Sequence, residues 1–303
     1  MTIDVEPLGY ALGAAIHGAD LTKDMPEADM IAVHEAWLSH HVLVFPNQQI
    51  SAAQHMAFAS RFGTLDRHTS QPRNYLDPEH PELLMITNRP IEGKPSDTRN
   101  TGRNWHTDLT FTLRPAKGAL LLCLEKPPVG GDTMWANLIL AYETLSPLMR
   151  EFVEKLEAVH DAALIKNIEQ RDPDKVAELK RLNPPVIHPV VRTHPETGRK
   201  SLLIGQRIRR FVGMSEEESE AILRFLNNHA TSPEFVYRHR WSVNDLVLWD
   251  NRCTQHIALP DFDQRQPRHM VRCTLEGEEV GRYAEIPRAE NPDILARAVA
   301  AMA

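Results

Sequence analysis

Short runs of apolar and β-branched residues recur along the chain and predict many strands. They lie at residues 42–45, 83–87, 119–124, 133–135, 186–191, 201–204, 234–237, 246–249 and 270–275. Runs of this length, separated by polar and turn-forming residues, are typical of β-strands. The pattern therefore predicts a protein with at least eight strands.

Apolar residues at helical spacing predict four amphipathic helices between these runs, at residues 26–40, 51–62, 147–160 and 215–229. Two of them begin with a capping box, in which a serine and the residue three positions later each accept the other's backbone N–H. The strands come in uneven groups and do not alternate with helices, so a doubly wound parallel sheet fits poorly. The predicted fold class is mainly β with flanking helices, on a jelly-roll or cupin-like core.

Two polar segments, residues 88–104 and 166–185, are too long to be simple turns. Long loops in compact domains often act as lids, and we predict that role here, with a plain surface excursion as the alternative. The chain shows no internal repeat and no low-complexity linker, so we predict a single domain over residues 1–303.

Composition excludes several classes of protein. With 42% hydrophobic and 25% charged residues, the chain has the composition of a globular protein, and its net charge of −7 argues against a nucleic-acid partner. No apolar run approaches the roughly 20 residues of a membrane helix, and no secretory signal is readable. The three cysteines fit neither a disulfide framework nor a zinc-binding pair. We predict a cytoplasmic protein with no membrane partner.

Fifteen histidines invite a search for a metal site. On a strand, His106 and Asp108 would face the same side, and His256 follows an apolar strand about 150 residues later. Two histidines and one carboxylate leave adjacent positions open, which suits an Fe(II) that holds a cosubstrate and dioxygen. Catalytic zinc in a hydrolase has a similar ligand set and stays open as an alternative, although the sequence lacks an H-E-x-x-H helix.

Two arginines follow His256 at a spacing that places them on one side of a strand. Arg268 and Arg272 lie four positions apart, and inward-facing arginines are costly unless anions meet them. A guanidinium matches a carboxylate as a planar fork. Arg268 is therefore a candidate to hold a dicarboxylate whose other end chelates the metal, and a solvated surface strand is the alternative.

Four motifs together resemble the taurine/aryloxyalkanoate (TauD/TfdA-like) family of Fe(II)/2-oxoglutarate-dependent dioxygenases. They are W-H-T-D at 105–108, G-G-D-T-M-W at 130–135, H-P-V-V-R-T-H-P at 188–195 and W-D-N-R-C-T-Q-H at 249–256. The resemblance implies a double-stranded β-helix with Fe(II) bound by His106, Asp108 and His256. It also implies that Arg268 pairs with the distal carboxylate of 2-oxoglutarate and that the Thr133 hydroxyl hydrogen-bonds it.

The reaction implied by this resemblance consumes 2-oxoglutarate and O2, releases succinate and CO2, and hydroxylates a substrate C–H bond. Arg272 is the candidate for binding the anionic group of the substrate, with His68 and Asn104 as further candidate substrate contacts. Gln71 and Gly102 stand where taurine enzymes have a tyrosine and an asparagine, so strict taurine specificity is not expected.

We predict a small anionic organic substrate, either a sulfonate, an alkyl sulfate ester or an aryloxyalkanoate. The family commonly forms dimers or tetramers, so a homo-oligomer is expected. A metal-binding cupin-like protein that is not an oxygenase is the alternative from a different class, beside the zinc hydrolase. Against both stands the complete set of metal and 2-oxoglutarate contacts, because an idle site has no physical reason to keep buried charges.

Overall fold

A computed structural model describes residues 3–68, 76–90, 93, 96, 100–164 and 173–284. The strands in this part of the chain are β1 (Asp4–Pro7), β2 (Ala14–His17), β3 (Val42–Phe45), β4 (Leu83–Thr87), β5 (Gly118–Glu125), β6 (Thr133–Asn137), β7 (Glu157–His160), β8 (Val186–Pro189), β9 (Val191–Thr193), β10 (Lys200–Leu202), β11 (Ile208–Phe211), β12 (Val236–His239), β13 (Leu246–Asp250), β14 (Thr254–Ala258), β15 (His269–Leu275) and β16 (Arg282–Tyr283). The helices are α1 (Glu27–His40), α2 (Ala52–Ser60), α3 (Leu138–Glu143), α4 (Pro147–Glu154), α5 (Pro173–Leu182) and α6 (Glu216–Ala230).

The largest sheet has seven strands in the order β1-β2-β3-β13-β5-β15-β4, antiparallel except for the pairing of β2 with β3. A three-stranded sheet, β12-β6-β14, contributes Trp135 to the apolar cluster that also contains Trp249 of the large sheet. A four-stranded sheet has the order β11-β7-β8-β16, and a two-stranded sheet has the order β10-β9. The seven-stranded and three-stranded sheets therefore enclose a shared core, which confirms the predicted jelly-roll class.

The large sheet is buried on both faces. Leu248 packs with Trp37 of α1 in a cluster that covers one face, whereas the next residue, Trp249, belongs to the core on the opposite face. This alternation follows from the two-residue period of a strand. A third cluster joins α3, α4 and α6 to the four-stranded and two-stranded sheets. Among the described residues, no helix combines the length and apolar character that crossing a bilayer requires.

Most predicted elements are present, including both capping boxes, at Ser51 with Gln54 and at Ser215 with Glu218. The helix predicted over residues 147–160 is wrong in its second half, because α4 ends at Glu154 and Glu157–His160 forms β7. The residues of β7 are inserted between β8 and β11, and this pairing overrides their helical spacing.

The predicted loop 166–185 is also partly wrong, because α5 occupies Pro173–Leu182. Residues 166–172 lie outside the described residues, as do 91–92, 94–95 and 97–99 of the other predicted lid. The lid function of both segments stays a prediction.

Buried neutral histidines in this core predict a loss of stability in mild acid. Burial lowers the pKa of both His41 and His55 to about 4, whereas an unfolded histidine titrates at about 6.5. Between these values the unfolded chain binds more protons, so stability falls as the pH drops from about 6.5 to about 4. We expect the urea midpoint to decrease from pH 7 to pH 5 and His55→Leu to weaken that dependence. The same dependence in the variant would contradict this account.

Candidate functional site

Backbone pairing brings together two segments that are distant in the sequence. His106 and His256 each donate a backbone N–H to the carbonyl of the other, at 3.0 and 2.8 Å, and form an isolated antiparallel bridge at β14. Residues directly opposite in such a pair project their side chains to the same face. The two imidazole rings accordingly lie with their centroids 4.2 Å apart.

The Asp108 carboxylate completes the cluster. Its Oδ1 lies 3.7 Å from Nε2 of His106, and its Oδ2 lies 3.9 Å from Nε2 of His256. The sequence predicted a strand through His106 and Asp108, but the structure has a single bridge residue followed by a turn, with Leu109 at a φ of 56°. One ligand atom from each residue still lies within 4.8 Å of the others.

The protonation states in this cluster suit a metal ion. Nδ1 of His106 lies 2.8 Å from the Asn104 carbonyl, so this nitrogen carries the hydrogen and Nε2 keeps its lone pair. Burial lowers the pKa of both His106 and His256, which favours the neutral imidazole. Burial alone raises the pKa of Asp108, but the positive charge of Arg272 and its hydrogen bond to the carboxylate work against this effect, and the pKa lies well below its ordinary value.

An unpartnered atom supports the same conclusion. Oδ2 of Asp108, which faces Nε2 of His256, is buried without a hydrogen-bond partner among the described residues. A buried carboxylate oxygen normally has a partner, and a bound ion or water would supply one here. Two neutral imidazoles and one carboxylate are a suitable donor set for a divalent transition metal with open coordination positions, and the residues present therefore fit a metal ion.

Arg272 lies against this cluster. Its Nη1 donates to Oδ1 of Asp108 at 2.9 Å, and both side chains are buried. Its Nε is buried without a partner in the part of the chain that the structure describes. The residue predicted to bind the substrate anion thus already contacts a candidate metal ligand.

His68 and Asn104, the other predicted substrate contacts, lie near the same cluster. Burial, aided by the positive charge of Arg272, lowers the pKa of His68 to about 4, and Nε2 of this buried residue lies 3.2 Å from the Glu82 carbonyl. The Asn104 amide donates to Oε1 of Gln206 at 2.9 Å. Asn104 therefore orients His106 through its carbonyl, while its side chain is engaged elsewhere. Gln71 lies outside the described residues.

Arg268 and Thr133 flank the Gly130-Gly131 turn. Nε of Arg268 donates to the Gly131 carbonyl at 3.0 Å, and Nε1 of Trp241 donates to the Thr133 hydroxyl oxygen at 3.0 Å. Gly130 and Gly131 have φ values of 76° and 73°, which favour glycine. Burial lowers the pKa of the Arg268 guanidinium to about 10, and the group stays cationic at neutral pH.

A pocket lies beside Arg268. It is lined by Ile86, Thr87, Asn88, Thr101, Arg103, Ala258, Leu259, Phe262 and Arg268. Ala258 pairs directly with Thr133 in the three-stranded sheet, and a Cβ atom at Gly102 would lie 3.4 Å from the His106 ring. The predicted 2-oxoglutarate contacts and the predicted metal ligands are therefore neighbours.

Asn251 was missed by the sequence analysis, although it lies in the W-D-N-R motif. Its Oδ1 accepts from the backbone N–H of Asp108 at 3.3 Å and from Nε1 of Trp249 at 3.1 Å. Thr107, beside Asp108, also donates its hydroxyl to the Thr254 carbonyl at 2.8 Å. These bonds fix the segment that carries Asp108 to the turn before β14. The motif was the only sequence signal that pointed to Asn251.

Asn251→Ala is expected to weaken metal binding about tenfold, as is typical when a group that orients a metal ligand is lost. Asn251→Asp keeps the accepting oxygen and should retain more of the affinity. Calorimetric titration of Mn(II) into the metal-free protein measures both effects. An unchanged dissociation constant in the alanine variant would show that Asn251 does not position Asp108.

A second group of potential ligands, His194, Asp250 and Cys253, is structural. The Asp250 carboxylate accepts from Nε and Nη2 of Arg252 at 2.9 and 2.7 Å and lies 3.0 Å from Nε2 of His194. Nδ1 of His194 accepts two backbone N–H groups, so its Nε2 carries the hydrogen. Burial raises the pKa of the Cys253 thiol well above its ordinary value. These atoms are protonated or already paired, and none is available to a metal.

A double-stranded β-helix that brings two histidines and a carboxylate beside a buried arginine defines a class of protein, the 2-oxoglutarate-dependent dioxygenases. The chain matches the family described as "Taurine catabolism dioxygenase TauD, TfdA family" over residues 4–274. The protein belongs to this family and is an α-ketoglutarate-dependent dioxygenase. The resemblance and the enzyme class predicted from the sequence are confirmed.

Similar proteins span nearly the whole chain. The alkylsulfatase of Acinetobacter baylyi is 35% identical over 286 residues, covering 91% of this chain and 86% of the relative. The (S)-phenoxypropionate/alpha-ketoglutarate-dioxygenase of Sphingobium herbicidovorans is 33% identical over 293 residues, covering 93% and 97%. The crystal structure of AAD-2 in complex with Mn(II) and N-oxalylglycine superposes with a TM-score of 0.81 at 33% identity, covering 92% of this chain and 98% of AAD-2.

Proposed function

We propose that the protein uses Fe(II), 2-oxoglutarate and O2 to hydroxylate a C–H bond of a small anionic organic substrate, either an alkyl sulfate ester, a sulfonate or an aryloxyalkanoate. The observation that carries this proposal is the convergence of His106, Asp108 and His256 next to the pocket of Arg268. Family membership favours this reaction over a zinc hydrolase or a cupin-like protein without oxygenase activity.

His106, Asp108 and His256 would hold the metal. The bound metal, with O2, supplies the oxidising power that converts 2-oxoglutarate to succinate and CO2 and hydroxylates the substrate. Arg272 occupies Oδ1 of Asp108 and leaves Oδ2 for coordination, while the Asn104 carbonyl fixes the tautomer of His106. The ligands are thus oriented by their neighbours before any metal binds.

Arg268 and Thr133 would bind the distal carboxylate of 2-oxoglutarate. In the described part of the chain, Arg268 forms no ion pair with an acidic side chain, although burial of an uncompensated charge is costly. Trp241 donates to the Thr133 oxygen, which leaves the hydroxyl hydrogen free to donate. A carboxylate between the two residues would accept hydrogen bonds from the charged guanidinium of Arg268 and from the neutral hydroxyl of Thr133.

Arg272 and His68 would bind the anionic group of the substrate, and Asn104 would line the same cavity. Nη1 of Arg272 already pairs with Asp108, so the substrate anion would use its remaining donors. The relatives named as an alkylsulfatase and a phenoxypropionate dioxygenase act on compounds that join an anionic group to an apolar body. A fixed anion would aim one carbon at the oxidant and keep the others away.

Anaerobic titration of Fe(II) and 2-oxoglutarate into the metal-free protein tests this proposal. Chelation should produce a visible absorption band, which a cognate substrate from a panel of alkyl sulfates, taurine and phenoxypropionates should shift. Arg272→Lys keeps a positive charge beside Asp108 but loses the planar fork, so we expect it to keep the band and lose the shift. If iron binds but no band appears, 2-oxoglutarate does not chelate the metal at the positions that the three protein ligands leave open, and the proposal is wrong.

We further propose that the chain forms one domain and that it works as a dimer or tetramer in the cytoplasm. We also propose that residues 88–104 and 166–185 act as lids that close over the substrate. The family resemblance and the sequence pattern support these statements. Light scattering measures the oligomeric state. Limited proteolysis with and without substrate tests the lids, and equal cleavage in both conditions would count against closure.

A further inference from the structure

Arg268 lies one residue before β15, at a point where regular strand pairing ends. The pairing of β15 with β4 stops at His269, opposite Thr87, and the register of β15 against β5 shifts between His269 and Met270. A register shift of this kind disrupts the ladder of hydrogen bonds locally and re-aims neighbouring side chains. The strands beside β15 therefore do not fix Arg268 by regular pairing, although this residue is buried.

Asn88 continues the pairing beyond the end of β4. Its backbone N–H donates to the Arg268 carbonyl at 3.2 Å, as the next pair of an antiparallel ladder would. The reciprocal bond comes from the side chain, because Oδ1 of Asn88 accepts the backbone N–H of Arg268 at 2.8 Å. Since a buried backbone N–H without an acceptor is costly, this amide oxygen holds Arg268 in the way that a strand partner would.

The amide nitrogen of Asn88 holds the chain that leads to Arg268. Its Nδ2 donates to the carbonyls of Gln264 and Gln266 at 3.1 and 2.7 Å. Both glutamines lie in the connection between β14 and β15. A primary amide offers two N–H donors and one acceptor oxygen, so a single side chain fixes both this connection and the backbone of Arg268.

The guanidinium of Arg268 is held at its other end by the Gly130-Gly131 turn. Its Nε donates to the Gly131 carbonyl at 3.0 Å. Asn88 and Arg268 both line the pocket described above. With its backbone fixed by Asn88 and its Nε fixed by Gly131, Arg268 presents its remaining N–H donors in a defined direction. Recognition of a ligand requires that such donors be held to within about 0.5 Å.

We infer that Asn88 is a positioning residue for the cosubstrate, which fixes Arg268 so that the guanidinium meets the distal carboxylate of 2-oxoglutarate. This inference rests on the proposed binding of 2-oxoglutarate at Arg268. Asn88 acts through the backbone of Arg268 and not through the metal ligands. It should therefore govern the affinity for 2-oxo acids with a distal carboxylate and leave chelation of the metal unchanged.

Binding of 2-oxoglutarate to the Mn(II)-loaded protein, measured by calorimetry without O2, tests the inference independently of turnover. Asn88→Ala removes the three side-chain bonds and should weaken binding about tenfold, the effect of hydrogen bonds that support a charged contact. Oxalate chelates a metal but has no distal carboxylate, so both proteins should bind it equally. In turnover, KM for 2-oxoglutarate should rise about tenfold, while kcat at saturating 2-oxoglutarate stays within about twofold.

Two further variants separate this role from a general loss of stability. Asn88→Leu keeps a similar volume and loses the same bonds, so it should lose 2-oxoglutarate affinity even if Asn88→Ala fails to fold. Asn227→Ala is the matched control, because Asn227 of α6 is also half-buried and donates to a backbone carbonyl, that of Leu223, at 2.8 Å. This control should bind 2-oxoglutarate like the wild type, and all variants should bind Mn(II) with equal affinity.

Two results would overturn the inference while leaving the proposed function intact. One is an unchanged 2-oxoglutarate affinity in the Asn88 variants when Arg268→Gln has lost binding. The other is an equal loss of affinity for oxalate and 2-oxoglutarate, which would place the effect of Asn88 at the metal. Failure of the wild type to bind 2-oxoglutarate would instead overturn the proposed function, and the role of Asn88 with it.

Discussion

Asp108→Ala is expected to lower turnover roughly a thousandfold or more, because the metal contributes several kcal/mol to catalysis and each 1.4 kcal/mol changes a rate about tenfold. The same change should destabilise the metal-free protein by about 3–5 kcal/mol, since it leaves the buried Arg272 guanidinium without its carboxylate. Succinate formation measures the first effect and urea unfolding of the metal-free protein measures the second.

Two further variants separate the two roles of Asp108. Asp263→Ala removes a carboxylate that, among the described residues, accepts from the exposed side chain and the backbone N–H of Arg265, and it should change neither property by much. Replacing Arg272 with methionine in the Asp108→Ala background removes the stranded charge, so stability should partly recover while turnover stays low. If Asp108→Ala unfolds at the wild-type urea concentration, the buried pair does not contribute as we describe.

Arg252→Ala is expected to be the most destabilising arginine substitution away from the pocket, at about 3–5 kcal/mol. Arg252 donates three hydrogen bonds to the fully buried Asp250, pairs with Glu196, and lies 5.0 Å from the Trp37 ring. Loss of the side chain would leave the Asp250 carboxylate with Nε2 of His194 and the backbone N–H of residue 252, and without a cationic partner among the bonds described here. Urea unfolding at pH 7 measures the change.

Metal affinity should also fall in Arg252→Ala, because the turn that Asp250 anchors carries Asn251 and leads to His256. Thr254 donates its hydroxyl to the Asp250 carbonyl at 2.6 Å within the same turn. Arg199→Ala is the matched control, since Arg199 pairs with Glu143 at the surface and should cost less than about 1 kcal/mol. Equal destabilisation by the two variants would mean that burial does not decide the outcome.

The sequence analysis selected side chains that the structure brings together, but it did not predict the backbone conformation that carries them. Motif spacing selected His106, Asp108 and His256 because a metal requires particular donor atoms, whatever the backbone between them does. The strand predicted for residues 106–108 is absent, because a turn with Leu109 in the left-handed region follows the bridge. The residue types alone identify the candidate donor atoms, whereas the conformation of the turn depends on how it packs against the rest of the protein.

Contacts between distant segments could not be predicted. The pairing of Arg272 with Asp108, the acceptor role of Asn251 and the sharing of one pocket by Arg103 and Arg268 each join positions far apart in the chain. Residues 157–160 illustrate the same limit, since their apolar spacing fits a helix and only their pairing with β8 and β11 makes them a strand. The local sequence pattern sets the preference for helix or strand, and pairing with distant strands decides which of the two forms.

The reciprocal backbone bonds between His106 and His256 have a consequence for the order of folding. Beside this bridge, the hydrogen bond from Thr107 to the Thr254 carbonyl joins positions 147 residues apart. Contacts between positions so distant in the chain form slowly during folding, so we expect the bridge to form late. A chain that has not yet made this pairing does not present the three donors together. Metal ions should therefore bind tightly only to completed molecules and stabilise those by mass action. Tight metal binding would then distinguish completely folded chains from chains in which this pairing has not formed.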